Sequence, residues 1–398
     1  MVMGRIDRIA KYSQIQEALA SLGTRKEEIV DWIIAVQQIP APTFSEALRA
    51  SFIESRFTQL GLADVRQDSL HNVYGCLPGV QPHAHKPVVI SAHSDTVFPA
   101  ATDLRVRRDN QRLYGPGVGD NSTGVAGLLA IADTLRRYQL QPKADLWFVS
   151  NVGEEGMGDL CGMRAVVNHF GRQAIYIVVE GGLFGQIAHE AVGVRRFRIA
   201  VETAGGHSWG SFGNASAIHE LSYLVAAFAR MSVPNRPKTT YNVGVIEGGT
   251  SVNTIASSAS MLLDLRSENA HELDRLVNLV ADIVHRAQKR AFRRDRSVKI
   301  CIEPVGNRPA GRIPRNASLV TWAEDALRYS GSSTVLYVSG STDANIPLSL
   351  GIPSICVGLT ESANSHRLDE YIETASLPSG LQQLLLLVLA AGDYESQD

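Results

Sequence analysis

The chain has 398 residues, of which 44% are hydrophobic and 20% charged, and its formal net charge is −2. This balance lacks the basic excess that binds nucleic acids or membrane surfaces, so we expect no nucleic-acid and no membrane partner. The longest apolar run, residues 384–391, is far shorter than the roughly 20 residues that a membrane helix needs. The four cysteines form no CxxC pair, and the N-terminal stretch has no apolar leader; both features favour a cytoplasmic protein.

The first half of the chain predicts alternating helices and strands. A potential capping box at residues 24–27 precedes a helix with Ile29, Trp32, Ile33 and Val36 on one face, followed by a second helix at 46–60. The second helix is expected to bury Leu48, Phe52 and Phe57. Apolar strands are predicted near residue 73, in the stretch 88–95, and at 146–150 and 175–179. A glycine-rich turn at 115–121 leads into an apolar helix, and this βαβ order is typical of a parallel sheet.

The pattern of polar and apolar residues changes near residue 193. Polar and apolar residues alternate at 195–202, 240–246, 260–265 and 298–303, as in strands with one wet face, and amphipathic helices are predicted at 215–231 and 271–290. Buried-strand patterns return at 334–338 and 352–357, after a link at 304–314. We therefore predict an α/β catalytic domain, with a mostly parallel sheet flanked by helices, in two parts (1–192 and 307–398). An α+β domain, 193–306, is inserted between them.

Titratable side chains follow the predicted apolar strands. Because strand ends at the carboxyl edge of an α/β sheet bind ligands, we expect these groups to converge. They are His93, Asp95, Asp120, Glu154, Glu155, Glu180 and His366. Several carboxylates in close proximity would repel one another unless divalent cations lie between them. Mixed imidazole and carboxylate ligands suit zinc first, with cobalt or manganese as alternatives, and the number of carboxylates favours two metals.

Each motif also has a simpler interpretation. The His93–Asp95 pair could be a polar corner at the end of a strand, and Glu154 and Glu155 could be solvated loop carboxylates. The turn at 115–121 could be only a tight connection. The order and placement of the motifs, all after apolar strands, favour the metal site.

The segments SAHSDTV, GVGDNSTGVAG, NVGEEG and SHRLDEY resemble the co-catalytic zinc exopeptidases and amidohydrolases of clan MH. This family includes peptidase T, glutamate carboxypeptidase, succinyl-diaminopimelate desuccinylase, acetylornithine deacetylase and aminoacylase, and the resemblance covers nearly the whole chain. It implies that His93 and Glu180 bind one zinc, that Glu155 and His366 bind the other, and that Asp120 bridges them.

The resemblance further implies that Asp95 orients His93, that Glu154 is the general base, and that the Asp120–Asn121 peptide bond is cis. Glu180 stands where several aminopeptidases and dipeptidases of the family have Asp, and a glutamate there resembles the carboxypeptidase and deacylase branch. The stretch from residue 191 to 220, in contrast, resembles the group related to peptidase T.

In the inserted domain, the turn at 203–208 resembles a motif whose histidine stabilises the oxyanion, from the partner subunit or after domain closure; His207 is the candidate. Asn253 and Arg266 lie in stretches that resemble those binding the free carboxylate of the substrate. Thr342 is a candidate for the pocket lining. His207 could instead be a turn histidine bonded to backbone, and Arg266 an inward arginine paired with a local acid. Trp209 and Phe212 are expected to pack within the domain.

The sequence thus predicts a dinuclear zinc hydrolase that cleaves the amide bond of small peptides as an exopeptidase. The alternative is a deacylase of N-acyl amino acids. A third possibility, a domain that keeps the fold only for interaction, would usually have lost a ligand or the base, and none is missing here. By resemblance, we expect a homodimer through the inserted domain.

Overall fold

The computed structural model describes residues 4–82 and 84–395. Its helices are α1 (Arg5–Ile9), α2 (Ser13–Thr24), α3 (Lys26–Gln37), α4 (Ala47–Gln59), α5 (Thr123–Arg137), α6 (Cys161–Phe170), α7 (Ala217–Phe228), α8 (Ala270–Arg294), α9 (Ser318–Tyr329), α10 (Asn345–Ser349) and α11 (Leu377–Ala391).

The strands are β1 (Ala63–Gln67), β2 (Val73–Leu77), β3 (Val88–His93), β4 (Arg107–Asp109), β5 (Arg112–Tyr114), β6 (Leu146–Asn151), β7 (Ile175–Glu180), β8 (Gln186–Ala191), β9 (Gly193–Glu202), β10 (Gly206–His207), β11 (Thr239–Gly248), β12 (Thr254–Ile255), β13 (Ser258–Ser267), β14 (Lys299–Arg308), β15 (Gly311–Arg312), β16 (Leu336–Gly340), β17 (Ser354–Gly358), β18 (Glu361–Ala363) and β19 (Tyr371–Glu373).

The chain divides into two compact units. Unit 1 comprises the chain up to Ala191 and from Arg312 onward, and unit 2 comprises Val192–Gly311. In the described part of unit 1, the main sheet has the order β1-β2-β6-β3-β7-β17-β8. The central strands β6, β3, β7 and β17 are parallel, as predicted for an α/β fold, whereas β1, β2 and β8 add antiparallel pairs.

The centre of unit 1 is apolar on both faces of the sheet. Every residue of β3 is buried, which is the expected consequence of its β-branched run. The helix α5 follows the glycine-rich turn and is buried along most of its length, and the leucine run of α11 is fully buried. A smaller antiparallel sheet, with the order β18-β19-β5-β4, lies in the same unit. Its β18–β19 connection carries one of the predicted site residues, His366.

The N-terminal helices differ from the prediction in two respects. Residues 24–27 do not form a capping box, because Thr24 ends α2 and its hydroxyl donates to the Ser21 carbonyl oxygen at 3.1 Å. Leu48 is 73% exposed, so its predicted inward position on α4 is wrong. The neighbouring Arg49 is buried instead, because its guanidinium donates to backbone carbonyl oxygens, including that of Ile39 at 2.9 Å.

Unit 2 is an antiparallel four-stranded sheet, order β11-β13-β9-β14, with α7 and α8 packed against it. Burial alternates along β13, as the sequence pattern predicts. The link out of this unit was expected from residue 304, but β14 continues to Arg308. Pro304 is tolerated because β14 is an edge strand with a register shift beside it. Trp209 and Phe212 are almost fully exposed, so the prediction that they pack within the domain is wrong.

No helix in the described parts of the chain is both long and apolar enough to cross a membrane.

A pair of substitutions in α4 tests the corrected orientation of this helix. We expect Ile53→Ala to lower the free energy of unfolding by about 2–5 kcal/mol, because Ile53 is fully buried and the change leaves a cavity. Leu48→Ala should change it by no more than about 0.5 kcal/mol. Urea unfolding of both variants measures the difference; equal losses would contradict the orientation.

Candidate metal centre

The first group of site residues lies at the carboxyl edge of the main sheet. His93 is the last residue of β3, and Glu180 is the last residue of β7. Because β3 pairs in parallel with both β6 and β7, these strands end at the same edge. Glu154 and Glu155 lie three and four residues after the end of β6 and are buried. The topology therefore brings side chains from three strands together.

Asp120 reaches the same edge from the turn that begins α5. The peptide bond between Asp120 and Asn121 is cis, as predicted. The Asn121 side chain donates to the Val179 carbonyl oxygen at 2.9 Å and accepts from the Gly181 N–H at 2.8 Å. These two bonds attach the turn to the end of β7, on both sides of Glu180.

His366 comes from the loop between β18 and β19. Its φ of +66° lies in the left-handed region, which non-glycine residues adopt infrequently and which is often found at functional sites. Its Nε2 lies 3.2 Å from Asp120 Oδ2 and 3.0 Å from Glu155 Oε1. On the other side of the same carboxylate, His93 Nε2 lies 3.1 Å from Asp120 Oδ1 and 3.7 Å from Glu180 Oε2.

The side chains form three overlapping groups whose potential ligand atoms lie within 4.8 Å of one another. The groups are His93–Asp120–Glu180, Asp120–Glu155–His366 and His93–Glu154–Glu155. All five residues predicted to bind metal, together with the predicted base, are thus members of one cluster. Asp120 belongs to two of these groups. One contains the predicted ligands of the first metal, His93 and Glu180, and the other contains those of the second, Glu155 and His366.

The electrostatics of the cluster favour a cation. Hydrogen bonds to Asp120 and Glu155 raise the pKa of His366 to about 10. Burial alone would lower the pKa of His93, yet its hydrogen bonds to Asp120, Asp95 and Glu180 raise it well above the usual value. Burial raises the pKa of Glu180. A set of buried carboxylates that attracts positive charge this strongly fits the donor chemistry of a divalent metal site.

Asp95 supports the cluster from behind. Its carboxylate accepts the backbone N–H groups of Glu154 and Glu155 at 3.0 and 2.9 Å and the Thr43 hydroxyl at 2.9 Å. Its Oδ1 lies 3.5 Å from His93 Nδ1. Burial tends to raise the pKa of Asp95, but His93 and the two backbone donors hold it below its usual value. Asp95 therefore fixes the loop of the two glutamates as well as facing the imidazole.

Two further residues, which the sequence interpretation missed, position the site. The fully buried Glu370 carboxylate accepts the N–H groups of Gly117, Gly119 and Asp120 at 2.9, 2.7 and 2.8 Å, and so holds the turn that presents Asp120. Arg49 Nη1 donates to the Ser94 carbonyl oxygen at 2.7 Å, between His93 and Asp95. Glu370 lies within the quoted SHRLDEY segment, which could have indicated it; Arg49 gave no signal, because a charged residue on a helix usually faces water.

The loop after β16 has a structural role in unit 1. Thr342 Oγ1 accepts the Ala344 N–H at 3.2 Å, and the Thr342 N–H donates to Asn345 Oδ1 at 2.9 Å, in the turn that starts α10. Asp343 is fully buried and accepts from Asn151 Nδ2 at 2.6 Å, and burial raises its pKa to about 7. Thr342 remains partly exposed, and its contact with substrate stays a prediction.

In unit 2, the structure brings His207 and Asn253 together. The strand β10 pairs with β12, and the Ser208 N–H donates to the Asn253 carbonyl oxygen at 3.0 Å. His207 Nδ1 accepts the backbone N–H groups of Trp209 and Gly210 at 3.2 and 3.3 Å. A neutral imidazole that accepts through Nδ1 carries its proton on Nε2, so the turn makes Nε2 the donor atom.

Arg266 lies elsewhere in unit 2. His207 and Asn253 are at the end of the sheet where β13 begins, whereas Arg266 is near the other end of that strand. Eight residues separate Ser258 from Arg266, which is about 26 Å of extended strand. Arg266 Nε donates to Asp264 Oδ2 at 2.7 Å, and its side chain remains exposed. It is therefore paired with a local acid, as the alternative interpretation states, but it does not face inward.

The mostly parallel sheet, with imidazoles and carboxylates converging at its carboxyl edge, defines a metal-dependent hydrolase. Residues 89–390 match the peptidase family M20/M25/M40. The chain belongs to this family, which is the family predicted from the motifs, and it is a hydrolase that acts on amide bonds.

Similar proteins agree over nearly the whole length. The chain is 24% identical to a putative succinyl-diaminopimelate desuccinylase of Mycobacterium tuberculosis, over 89% of this chain and 96% of that protein. It is 23% identical to carboxypeptidase G2 of Pseudomonas sp., over 87% of this chain and 84% of that protein. The crystal structure of a Staphylococcus aureus tripeptidase has the same fold, with a TM-score of 0.77 at 21% identity and coverage of 92% and 98%.

Substitution of Glu370 tests whether it positions Asp120. In Glu370→Gln, the amide group can accept through only one oxygen, so a backbone donor such as the Gly117 N–H loses its partner, at a cost of about 1–3 kcal/mol. We expect kcat/KM to fall about 10–100-fold, as for other residues that orient metal ligands. Glu373→Gln, three residues later at the end of β19 and in a pair with Arg112, is the control. Equal activities of the two variants would show that Glu370 is not needed.

Proposed function

We propose that the cluster holds two divalent cations, with His93 and Glu180 on one, Glu155 and His366 on the other, and Asp120 between them. One observation carries the proposal: the two oxygens of Asp120 face different imidazoles, at 3.1 and 3.2 Å. A carboxylate in this position suits a bridge. The nitrogen and oxygen donors suit zinc, with cobalt or manganese as substitutes. When bound, such a pair supplies positive charge that polarises a carbonyl group and makes water more acidic.

The reaction that we propose is hydrolysis of the amide bond of small peptides, as an exopeptidase. Glu154 is buried at the cluster, beside His93 and Glu155, and it acts as general base: it takes a proton from the attacking water and passes it to the leaving amine. Asp95 holds the backbone of Glu154 in place through its hydrogen bond. The alternative, a deacylase of N-acyl amino acids, would use the same groups. The similarity of the chain to a putative desuccinylase supports this alternative.

Substitution of Glu154 separates the base from the metal ligands. We expect Glu154→Gln to keep the metal content of the wild type and to lower kcat by about 10²–10⁴-fold, since an amide group cannot accept the proton. His93→Ala should lose metal as well as activity. Elemental analysis and peptide hydrolysis measure both quantities, and normal turnover by Glu154→Gln would show that the base is another group.

We propose that His207, Asn253, Arg266 and Thr342 bind substrate, with His207 Nε2 as the donor to the oxyanion. The positions in unit 2 bear on the oligomeric state. An extended tripeptide spans at most about 11 Å, so it cannot contact both ends of one unit-2 sheet, which are about 26 Å apart. If His207 and Arg266 act on one substrate, they come from different protomers. This geometry supports a homodimer.

A mixing experiment tests the dimer. The single variants His207→Ala and Arg266→Ala should each lose most of their activity. After subunit exchange at equal concentrations, half the dimers are mixed and one of their two sites has both groups intact, so about a quarter of the wild-type activity should return. A mixture that stays as inactive as its components would contradict sharing between protomers.

We also propose a cytoplasmic location, which the four free cysteines support: none forms a disulfide in the described residues.

A further inference from the structure

We propose that the enzyme selects substrates by an apolar side chain next to the scissile bond, and that an apolar rim around the metal centre recognises it. The apolar rim consists of Phe44, Val97, Met157 and Leu368, all of which are exposed large apolar side chains of unit 1. The inference rests on the proposed hydrolysis of amide bonds and adds to it the class of substrate.

Three of the rim residues follow site residues at the same short interval. Val97 is two residues after Asp95, Met157 is two after Glu155, and Leu368 is two after His366. Since consecutive Cα atoms are about 3.8 Å apart, each rim Cα lies within about 8 Å of the Cα of its site residue. The three loops that bring the charged groups to the cluster thus also display an apolar side chain.

Phe44 joins the rim through Asp95. The Thr43 hydroxyl next to it donates to Asp95 Oδ2 at 2.9 Å, so the backbone at Phe44 passes close to the site. Phe44 has a φ of +70°, which bulky residues rarely adopt, and its N–H donates to Glu46 Oε1 at 3.0 Å. Phe44 is 67% exposed. The chain therefore holds an aromatic ring in solvent, at a conformational cost, beside a residue that supports the metal centre.

An open cleft adjoins the rim. Leu368 and Pro116 line a cleft of about 610 Å³, which is within the usual size of small-ligand sites. Pro116 precedes Gly117, whose N–H is bound by Glu370, so the cleft reaches the turn that carries Asp120. The charged residues in the cleft wall are compensated: Arg105 pairs with Asp103 at 2.5 Å, and Arg107 with Asp109 at 2.9 Å.

The position of the apolar rim indicates that it contacts a side chain of the substrate. Single exposed apolar residues are common on protein surfaces and need no explanation. Here, however, three of them lie two residues from a group of the site, and Phe44 follows Thr43, which bonds to Asp95. The groups flanking an amide bond must lie close to the site during hydrolysis. Because the neighbouring arginines are paired with carboxylates, the apolar side chains are what this surface offers to an uncharged group. An apolar or aromatic side chain of a peptide or N-acyl amino acid is the group that fits.

The test compares matched substrates with the metal-loaded full chain. The substrates are dipeptides and N-acetyl amino acids that have Gly, Asp, Lys, Leu or Phe next to the scissile bond. We expect kcat/KM for the Leu and Phe substrates to exceed that for Gly and Asp by about tenfold or more, the range that small apolar contacts give in specificity pockets. Val97→Ser and Leu368→Ser should reduce this ratio about threefold to tenfold, because they remove apolar contacts that favour the Leu and Phe substrates.

Two exposed residues at the opposite edge of the sheet provide matched controls. The Val80 N–H donates to the carbonyl oxygen of Pro142, which precedes β6, and Leu350 precedes β17. Both residues are exposed. Val80→Ser and Leu350→Ser should keep the wild-type ratio, which excludes a general effect of losing a surface apolar group.

The outcomes separate the two proposals. Cleavage of Gly or Asp substrates as fast as Phe substrates would overturn the inference and leave the proposed function intact, as would an unchanged ratio in Val97→Ser and Leu368→Ser. If these variants changed the sedimentation coefficient but not the ratio, the rim would be a contact between protein chains and the inference would fail. No cleavage of any member of the panel would overturn both proposals.

Discussion

The carboxylate of Asp120 lies between the imidazoles of His93 and His366, one at each oxygen. Hydrogen bonds from other parts of unit 1 fix the turn that carries it. Glu370 accepts three backbone N–H groups of its turn, and Asn121 attaches the same turn to the end of β7. Acidic groups buried this closely repel one another, so the arrangement is stable only with positive charge among them. This requirement connects the fold to metal-dependent hydrolysis.

The parallel sheet explains why residues far apart in sequence meet. His93 and Glu180 end neighbouring parallel strands, and Glu154 and Glu155 follow the strand on the other side of β3. Asp95 then couples two of these elements, because one carboxylate binds the backbone of the loop that carries both glutamates. The rigidity of the site therefore comes from backbone hydrogen bonds to buried carboxylates, and the metal-facing side chains depend on them.

The motifs in the sequence indicated which titratable side chains converge, but not which residues support them. His93 and Glu180 could be identified because each ends an apolar strand pattern and the other motifs have the same placement. Arg49 could not be identified, since hydrophobic periodicity places leucines inward and cannot foresee that carbonyl groups behind the site need a buried guanidinium, which displaces Leu48 to the surface. The residues from Thr24 onward fit a capping pattern, but Thr24 is the last residue of α2 and does not begin the next helix. Whether His207 and Arg266 meet depends on strand length and symmetry, which motifs do not encode.

The number of metal ions per chain tests the account most directly. Zinc titration of the purified protein, followed by desalting and elemental analysis, should give two ions per chain for the wild type, and no more than one for Asp120→Ala, because the shared carboxylate is lost. A wild-type chain that binds one ion or none under zinc saturation, or an Asp120→Ala variant that retains two, would contradict a bridged pair at Asp120.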